Sequence, residues 1–113
     1  MRARSQVTRF PAATPQDAVD HFQKRLTFET DCWDVHHDIS HDCSEFVLLD
    51  VRSAELFAAG HVPTAIHLPH VRMDRNTLPA LEDGQIYVVY CAGPHCNGAN
   101  KGALKIAGLG LPV

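Results

Sequence analysis

Residues 88–110, VVYCAGPHCNGANKGALKIAGLG, set two cysteines and a histidine between an apolar run and a glycine-spaced helical segment. Cys91 stands where the apolar run stops. Its chemistry allows three roles: nucleophile, metal ligand or inert core residue. A loop that leaves a buried strand and becomes a helix near Asn97 or Gly98 must wrap back over the strand end. Such a loop turns successive peptide N–H groups inward and forms an anion-binding nest. The helix N-terminus adds a partial positive charge. Both favour thiolate over thiol. An ordinary cysteine, with a pKa of about 8.5, is only slightly ionised at neutral pH, and such surroundings bring it to about 3.5–7.5. A shift of two units is about 2.7 kcal/mol of preferential thiolate stabilisation. The loop has no side chain of fixed positive charge, so His95 is the available side-chain partner.

The rest of the chain must position that sulfur. Residues 1–13 read as a polar arm. TPQDAVDHFQKRL then carries a helix start, with Thr14 as N-cap, Pro15 at the first helical position and Asp17 in the first turn. Ala18, Phe22 and Leu26 form its apolar stripe. TFETD is short enough for a strand, and Asp31 or Asp34 caps a short helix through CWDVHHDI, with Trp33 as its anchor. EFVLLDV has consecutive apolar positions and reads as a buried strand. SAELFAAG is a short helix capped by Ser53 and stopped at Gly60. AIHLP is a third strand, TLPALEDG a turn or short helix, IYVVYC the strongest strand and GANKGALKIAGLG a helix. LPV begins one more strand.

Strands alternating with helices predict an α/β fold, a mostly parallel sheet with helices on both faces. Such sheets bind ligands beyond the carboxyl ends of their strands. Three polar sites fall there: DVR (Asp50 and Arg52), the His70 that follows AIHLP, and Cys91. Asp50 and Arg52 fit a hydrogen-bonded brace from strand end to helix, with Glu55 as a third member. His61 reads as a turn-fixing residue, and His70 is expected near the rim. Cys96 is either a bystander on the loop or a resolving thiol that closes a disulfide with Cys91.

Composition excludes several classes. The 113 residues are 45% hydrophobic, enough for one compact domain. Net charge is -3 and the basic residues are scattered, so no nucleic-acid surface is expected. No apolar stretch reaches the roughly 18 residues of a membrane span. The start, MRARSQVTRFPAATP, lacks the apolar core of a secretory signal, which points to the cytoplasm and to mostly reduced thiols at the four cysteines, with a two-disulfide framework as the weaker alternative. HHDISHDC, with Cys32 nearby, matches no standard metal spacing, and a tight loop does not converge Cys91, His95 and Cys96 on one ion. Neither metal nor cofactor is expected.

CAGPHCNGANKGALKIAGLG resembles the active-site loop and following helix of the rhodanese (sulfurtransferase) family. LLDVRSAELFAAGHVPTAIHLPH resembles the family's other signature, an Asp-x-Arg, a helix, a Gly-His turn and an alanine-rich entry to a strand. The likeness spans roughly residues 27–113 and leaves an N-terminal arm and helix, 1–26, outside. It implies that Cys91 is the nucleophile and carries sulfane sulfur as a persulfide. It implies a cradle for the transferred sulfur at Ala92, Gly93, His95 and Cys96, continued by Asn97 and Gly98 at the helix start. Asp50 and Arg52 match the Asp-x-Arg pair, Glu55 the acidic helix residue, and Gly60 with His61 the Gly-His turn. Three positions depart from the family pattern. Cys96 stands where many members have arginine, Pro94 removes one cradle N–H, and Thr64 stands where glycine is usual.

The expected activity is sulfur transfer from a donor such as thiosulfate to a thiol or cyanide by ping-pong covalent catalysis. A non-enzymatic module handing persulfide sulfur to a protein acceptor is the alternative. A phosphatase or arsenate reductase would need a loop one residue longer and closed by arginine, where this chain has Asn97. The family's domain continues with a further strand and a closing helix, which are missing from this sequence. A chain ending at Val113 is therefore expected to expose a strand edge, to pair as a dimer through it, or to be a fragment of a longer protein.

Overall fold

Three apolar runs of the sequence pair as parallel strands. The computed structural model describes residues 3–113. Met1 and Arg2 of the expected polar arm lie outside the described residues. The chain separates into two compact units, one ending at Val35 and the other running His36–Val113.

In the first unit, helix α1 (Pro15–Phe28) starts as the sequence predicts, with the Thr14 hydroxyl accepting from the Asp17 N–H at 3.2 Å. Its apolar stripe finds no core: Phe22 is 56% and Leu26 81% exposed, and no α1 residue is buried. TFETD is not a strand. Thr27 and Phe28 extend α1, and Glu29 closes it with an N–H bond to the Arg25 carbonyl. An isolated five-residue strand has no ladder partner, whereas the helix supplies one at once. Helix α2 (Cys32–Ser40) begins in this unit and ends in the second; it is capped by Asp31, whose carboxylate accepts from the Asp34 N–H at 2.8 Å. Trp33 is 75% exposed, so it is not the buried anchor expected of it.

The second unit holds the sheet, in the order β2 (Ile66–His67), β1 (Phe46–Asp50), β3 (Ile86–Tyr90). The central strand, with Leu48, Leu49 and Asp50 buried, comes from one of the two consecutive apolar runs, and β3 from the other. Register pairs Asp50 with His67 on one side and with Tyr90 on the other. The three strands therefore end level, and the segments that follow them leave from one rim. Helix α3 (Ala54–Ala59) joins β1 to β2, with Ser53 as N-cap through its bond from the Leu56 N–H. A single 3-10 turn, His70–Arg72, follows β2. TLPALEDG is a turn region, preceded by Asp74, whose carboxylate gathers the Asn76 and Thr77 N–H groups. Those bonds hold its acid below the usual carboxylate range.

Helix α4 (Gly98–Gly108) turns Gly98, Gly102 and Ile106 inward, four residues apart on one face. A Cβ on Gly102 would lie 3.2 Å from Met73 Cε and 3.4 Å from Val51 Cγ1, so the glycine permits the helix to sit that close. Leu49, Val51, Leu68, Met73, Leu78, Tyr87 and Ile106 make the core. LPV forms no strand, yet the Tyr87 N–H donates to the Pro112 carbonyl at 3.0 Å. Among the described residues no helix is long and apolar enough to cross a membrane.

The turn between α3 and β2 carries strain. The Ala65 N–H bonds the Val62 carbonyl at 3.0 Å, and Thr64, at the third position, has φ +73°. A type II turn requires that sign, with proline favoured just before. A β-branched residue adopts it at a cost of about 1–2 kcal/mol, more than the roughly 0.4–1 kcal/mol that glycine loses in unfolded-state entropy. Thr64→Gly is therefore expected to stabilise the protein by up to about 1 kcal/mol in urea unfolding. A loss of stability would show that the threonine side chain holds the turn.

Candidate functional site

The level strand ends are locked by one carboxylate. Asp50 is fully buried. A buried charge is tolerated only when it is paired and hydrogen-bonded. Its Oδ1 accepts from the Arg52 backbone N–H at 2.9 Å and from Nε at 3.0 Å. Its Oδ2 accepts from Arg52 Nη2 and from the Tyr90 hydroxyl, each at 2.7 Å. Burial alone pushes this acid up, but the Arg52 and Tyr90 bonds outweigh it and hold Asp50 below the usual carboxylate range. Burial, and then the bond to Asp50, push the Tyr90 phenol up, so it stays a donor.

The brace reaches further than the Asp-x-Arg pair. Arg52 Nη2 donates to the Gly60 carbonyl at 2.6 Å, at the end of α3. The Tyr90 oxygen accepts from the Val62 N–H at 3.1 Å, in the strained turn. The Arg52 carbonyl accepts from His67 Nε2 at 2.7 Å, which sets that imidazole's tautomer. His61 does fix its turn, with Nδ1 donating to the Phe57 carbonyl at 2.8 Å and its ring stacked on Phe57. Glu55 is exposed and makes no hydrogen bond to the pair, contrary to expectation; Gly60 and Tyr90 take that place. A carboxylate on the outer face of α3 gains more from water than from a site already saturated by Asp50.

Tyr90 leads directly into Cys91. That cysteine is half-buried and packs against the core. The loop then turns tightly, the Cys96 N–H bonding the Gly93 carbonyl at 3.0 Å around Pro94. Gly93 has φ +150°, and a Cβ there would meet the His95 ring at 3.2 Å. Among the described residues nothing accepts from the peptide N–H groups of Ala92, Gly93, His95 or Asn97. Asn97 precedes α4 without a side-chain cap bond, so the helix start also keeps free donors. Cys91 and Cys96 are joined by a disulfide, with their Cα atoms 6.4 Å apart. The Gly98 N–H reaches Cys96 Sγ at 3.4 Å. A Cβ on Gly98 would lie 3.0 Å from Cys91 Sγ and 3.5 Å from Cys96 Sγ. The helix tip therefore rests on the sulfur pair, which glycine alone allows.

The Rhodanese-like domain family model matches residues 34–112. The chain belongs to the rhodanese-like domain family. The BH2092 protein from Bacillus halodurans superposes with a TM-score of 0.80 at 39% identity, covering 88% of this chain and 73% of that one. The HTH-type transcriptional regulator Rv0324 of Mycobacterium tuberculosis (strain ATCC 25618 / H37Rv) is 36% identical over 55 residues, 49% of this chain. This chain spans 24% of that regulator's length.

In this rhodanese-like domain the loop residues expected as one site, Cys91 through Gly98, are contiguous around the sulfur pair. Two expectations change. The helix tip addresses Cys96 rather than a free Cys91 thiolate, because the disulfide brings Cys96 Sγ over Gly98. Cys96 is thus no bystander, and of the four cysteines only Cys32 and Cys43 are free and exposed. His70 follows β2 half-buried, but it bonds through its carbonyl, which accepts from Lys105 Nζ at 2.7 Å and from the Met73 N–H at 3.2 Å. Sequence reasoning missed Tyr90 and His67. The signal was their placement at strand ends, level with Asp50.

Asp50 supplies a pH test. Its folded-state acid is stronger than in the unfolded chain. Its contribution is complete above the unfolded value of about 3.9 and is lost as pH falls through the folded value. Asp50→Asn is expected to cost about 2–4 kcal/mol at pH 7. The gap between the two proteins, read by urea unfolding, should narrow below about pH 4. A gap that stays constant down to acid unfolding would mean that the carboxylate charge is not what holds the rim.

Proposed function

We propose that this domain is a sulfurtransferase in which Cys91 carries sulfane sulfur as a persulfide. One observation supports this reading above the rest. Cys91 leaves the carboxyl end of a parallel strand into a loop whose N–H groups at Ala92, Gly93, His95 and Asn97 have no acceptor among the described residues. Free amides around a sulfur at a helix start suit an anion that forms during the reaction.

In the reduced protein the Cys91 thiolate attacks the outer sulfur of a donor such as thiosulfate. The Sγ–S bond forms, the donor's S–S bond breaks, and sulfite leaves with the electron pair. The persulfide's terminal sulfur then lies against the free amides of Ala92, Gly93, His95 and Asn97 and the Gly98 helix start. A thiol or cyanide acceptor attacks that terminal sulfur, and Cys91 departs as thiolate. Asp50 and Arg52 act from behind, fixing where the strand ends. Cys96 in place of a fixed positive charge weakens the hold on a dianionic donor, so thiosulfate is expected to bind loosely. The pair must be reduced for this chemistry, as in a cytoplasmic compartment.

A second reading, a persulfide-carrying regulatory module, draws support from the likeness to part of a transcriptional regulator. The two readings part on acceptor choice: an enzyme turns over on small acceptors, a module delivers to a protein.

The test uses thiosulfate and cyanide with the pre-reduced full chain, reading thiocyanate. Cys91→Ser should lower the rate by about a thousandfold or more. Intact mass of the Cys96→Ser chain, which cannot close the disulfide, should rise by one sulfur atom after thiosulfate treatment. The Cys91→Ser/Cys96→Ser chain should show no such rise. An adduct that survives loss of Cys91 would overturn the assignment, and loading without thiocyanate production would favour the carrier module.

A further inference from the structure

We propose that Cys96 discharges the Cys91 persulfide as hydrosulfide, giving the domain a sulfide-releasing, dithiol-dependent reductase activity. This rests on Cys91 being the sulfur carrier.

Three features converge on it. The two sulfurs bond to each other within one short loop, so Cys96 reaches the inner sulfur of a loaded Cys91 without the strand or helix moving. The Cα separation of 6.4 Å lies within the normal span of a disulfide. The Gly98 N–H at the start of an eleven-residue helix points at Cys96 Sγ. A peptide donor and helix tip there favour Cys96 as a thiolate, which makes it an attacking group at neutral pH. The same stabilisation makes it a good leaving group when the disulfide is later reduced. Nothing else in the loop competes for that sulfur: the Cys96 N–H is already held by the Gly93 carbonyl, and His95 lies over Gly93.

The step balances. The Cys96 thiolate attacks Cys91 Sγ, the Sγ–Sγ bond forms, the bond to the terminal sulfur breaks, and HS⁻ leaves with the electron pair. The Cys96 sulfur is oxidised as the departing sulfur is reduced. The product is the disulfide seen in the structure. A dithiol reductant, protein or small molecule, then returns two electrons and two protons by thiol–disulfide exchange and restores both thiols. Sulfane sulfur thus has two exits from Cys91: transfer to an external acceptor, or release as sulfide at the expense of a dithiol.

A single-turnover experiment tests this. The full chain is reduced, freed of reductant, and treated with thiosulfate or inorganic polysulfide. After rapid desalting, free sulfide and intact mass are followed with no thiol added. The native chain should release one sulfide for each persulfide formed and finish two hydrogen atoms lighter than the reduced protein, with a Cys91–Cys96 disulfide in its peptide map. Cys96→Ser and Cys96→Ala should both keep the added sulfur and release none until an external thiol is supplied. A native chain that holds its persulfide with Cys96 reduced, or Cys96 variants that release sulfide at the native rate, would overturn the proposal while leaving Cys91 as carrier. No Cys91-dependent adduct on either Cys96 variant, with either donor, would remove both readings together.

Discussion

A carboxylate sealed from water at the end of the central strand organises this domain. Asp50 has no access to solvent, so its charge must be met from within. The donors that meet it come from the segment after β1 and from the last residue of β3. Arg52 and Tyr90 in turn fasten the end of α3 and the turn before β2. One buried charge therefore decides where three strands stop together. An apolar residue at this position would pack as well but would leave Arg52, Tyr90 and the Val62 N–H without a common partner. The network is specific because each member is satisfied by the others.

That constraint is transmitted to the sulfur through one peptide bond. Tyr90 cannot shift without breaking its bond to Asp50, and Cys91 is the next residue. From the other side α4 descends on Val51 and Met73 along its glycine face. The loop between is too short to relax independently of both. Its tight Gly93–Cys96 turn uses one N–H internally and leaves the others available. Close helix packing and free amides are two results of the same geometry. A bulkier residue at position 98 would push the helix tip off the sulfurs and dissolve the cup.

Much of this was legible in the residues. The consecutive apolar runs around Leu48 and Val88 became the paired central strands, and Thr14, Asp31 and Ser53 capped helices as their side chains dictate. The contact of Asp50 with Arg52 followed from their spacing and charge. Local pattern failed where tertiary register decides. Tyr90 reads as one more strand residue until register sets it beside Asp50, and Glu55 looks like a brace member until α3 turns it to solvent. TFETD has strand composition but no neighbour to pair with, so the preceding helix absorbs its start. Trp33 and the α1 stripe look like core by type, yet burial depends on what lies opposite them and not on the residues alone.

The exchange of a fixed charge for a thiol at position 96 changes what the loop can be. An arginine closing such a cup would hold an anion in every redox state. Cys96 offers a peptide-stabilised sulfur that is an anion acceptor's neighbour when reduced and a covalent lid when oxidised. In the disulfide form the Cys91 sulfur is bonded to Cys96 and offers no thiolate to a donor. Reduction of the pair would free that sulfur beside the unpaired loop amides. Access to the cup is thereby tied to the supply of reducing equivalents, and the tie needs no moving domain because both sulfurs sit within one six-residue loop. The brace behind the loop takes no part in the sulfur pair: Asp50, Arg52 and Tyr90 hydrogen-bond one another and neither sulfur.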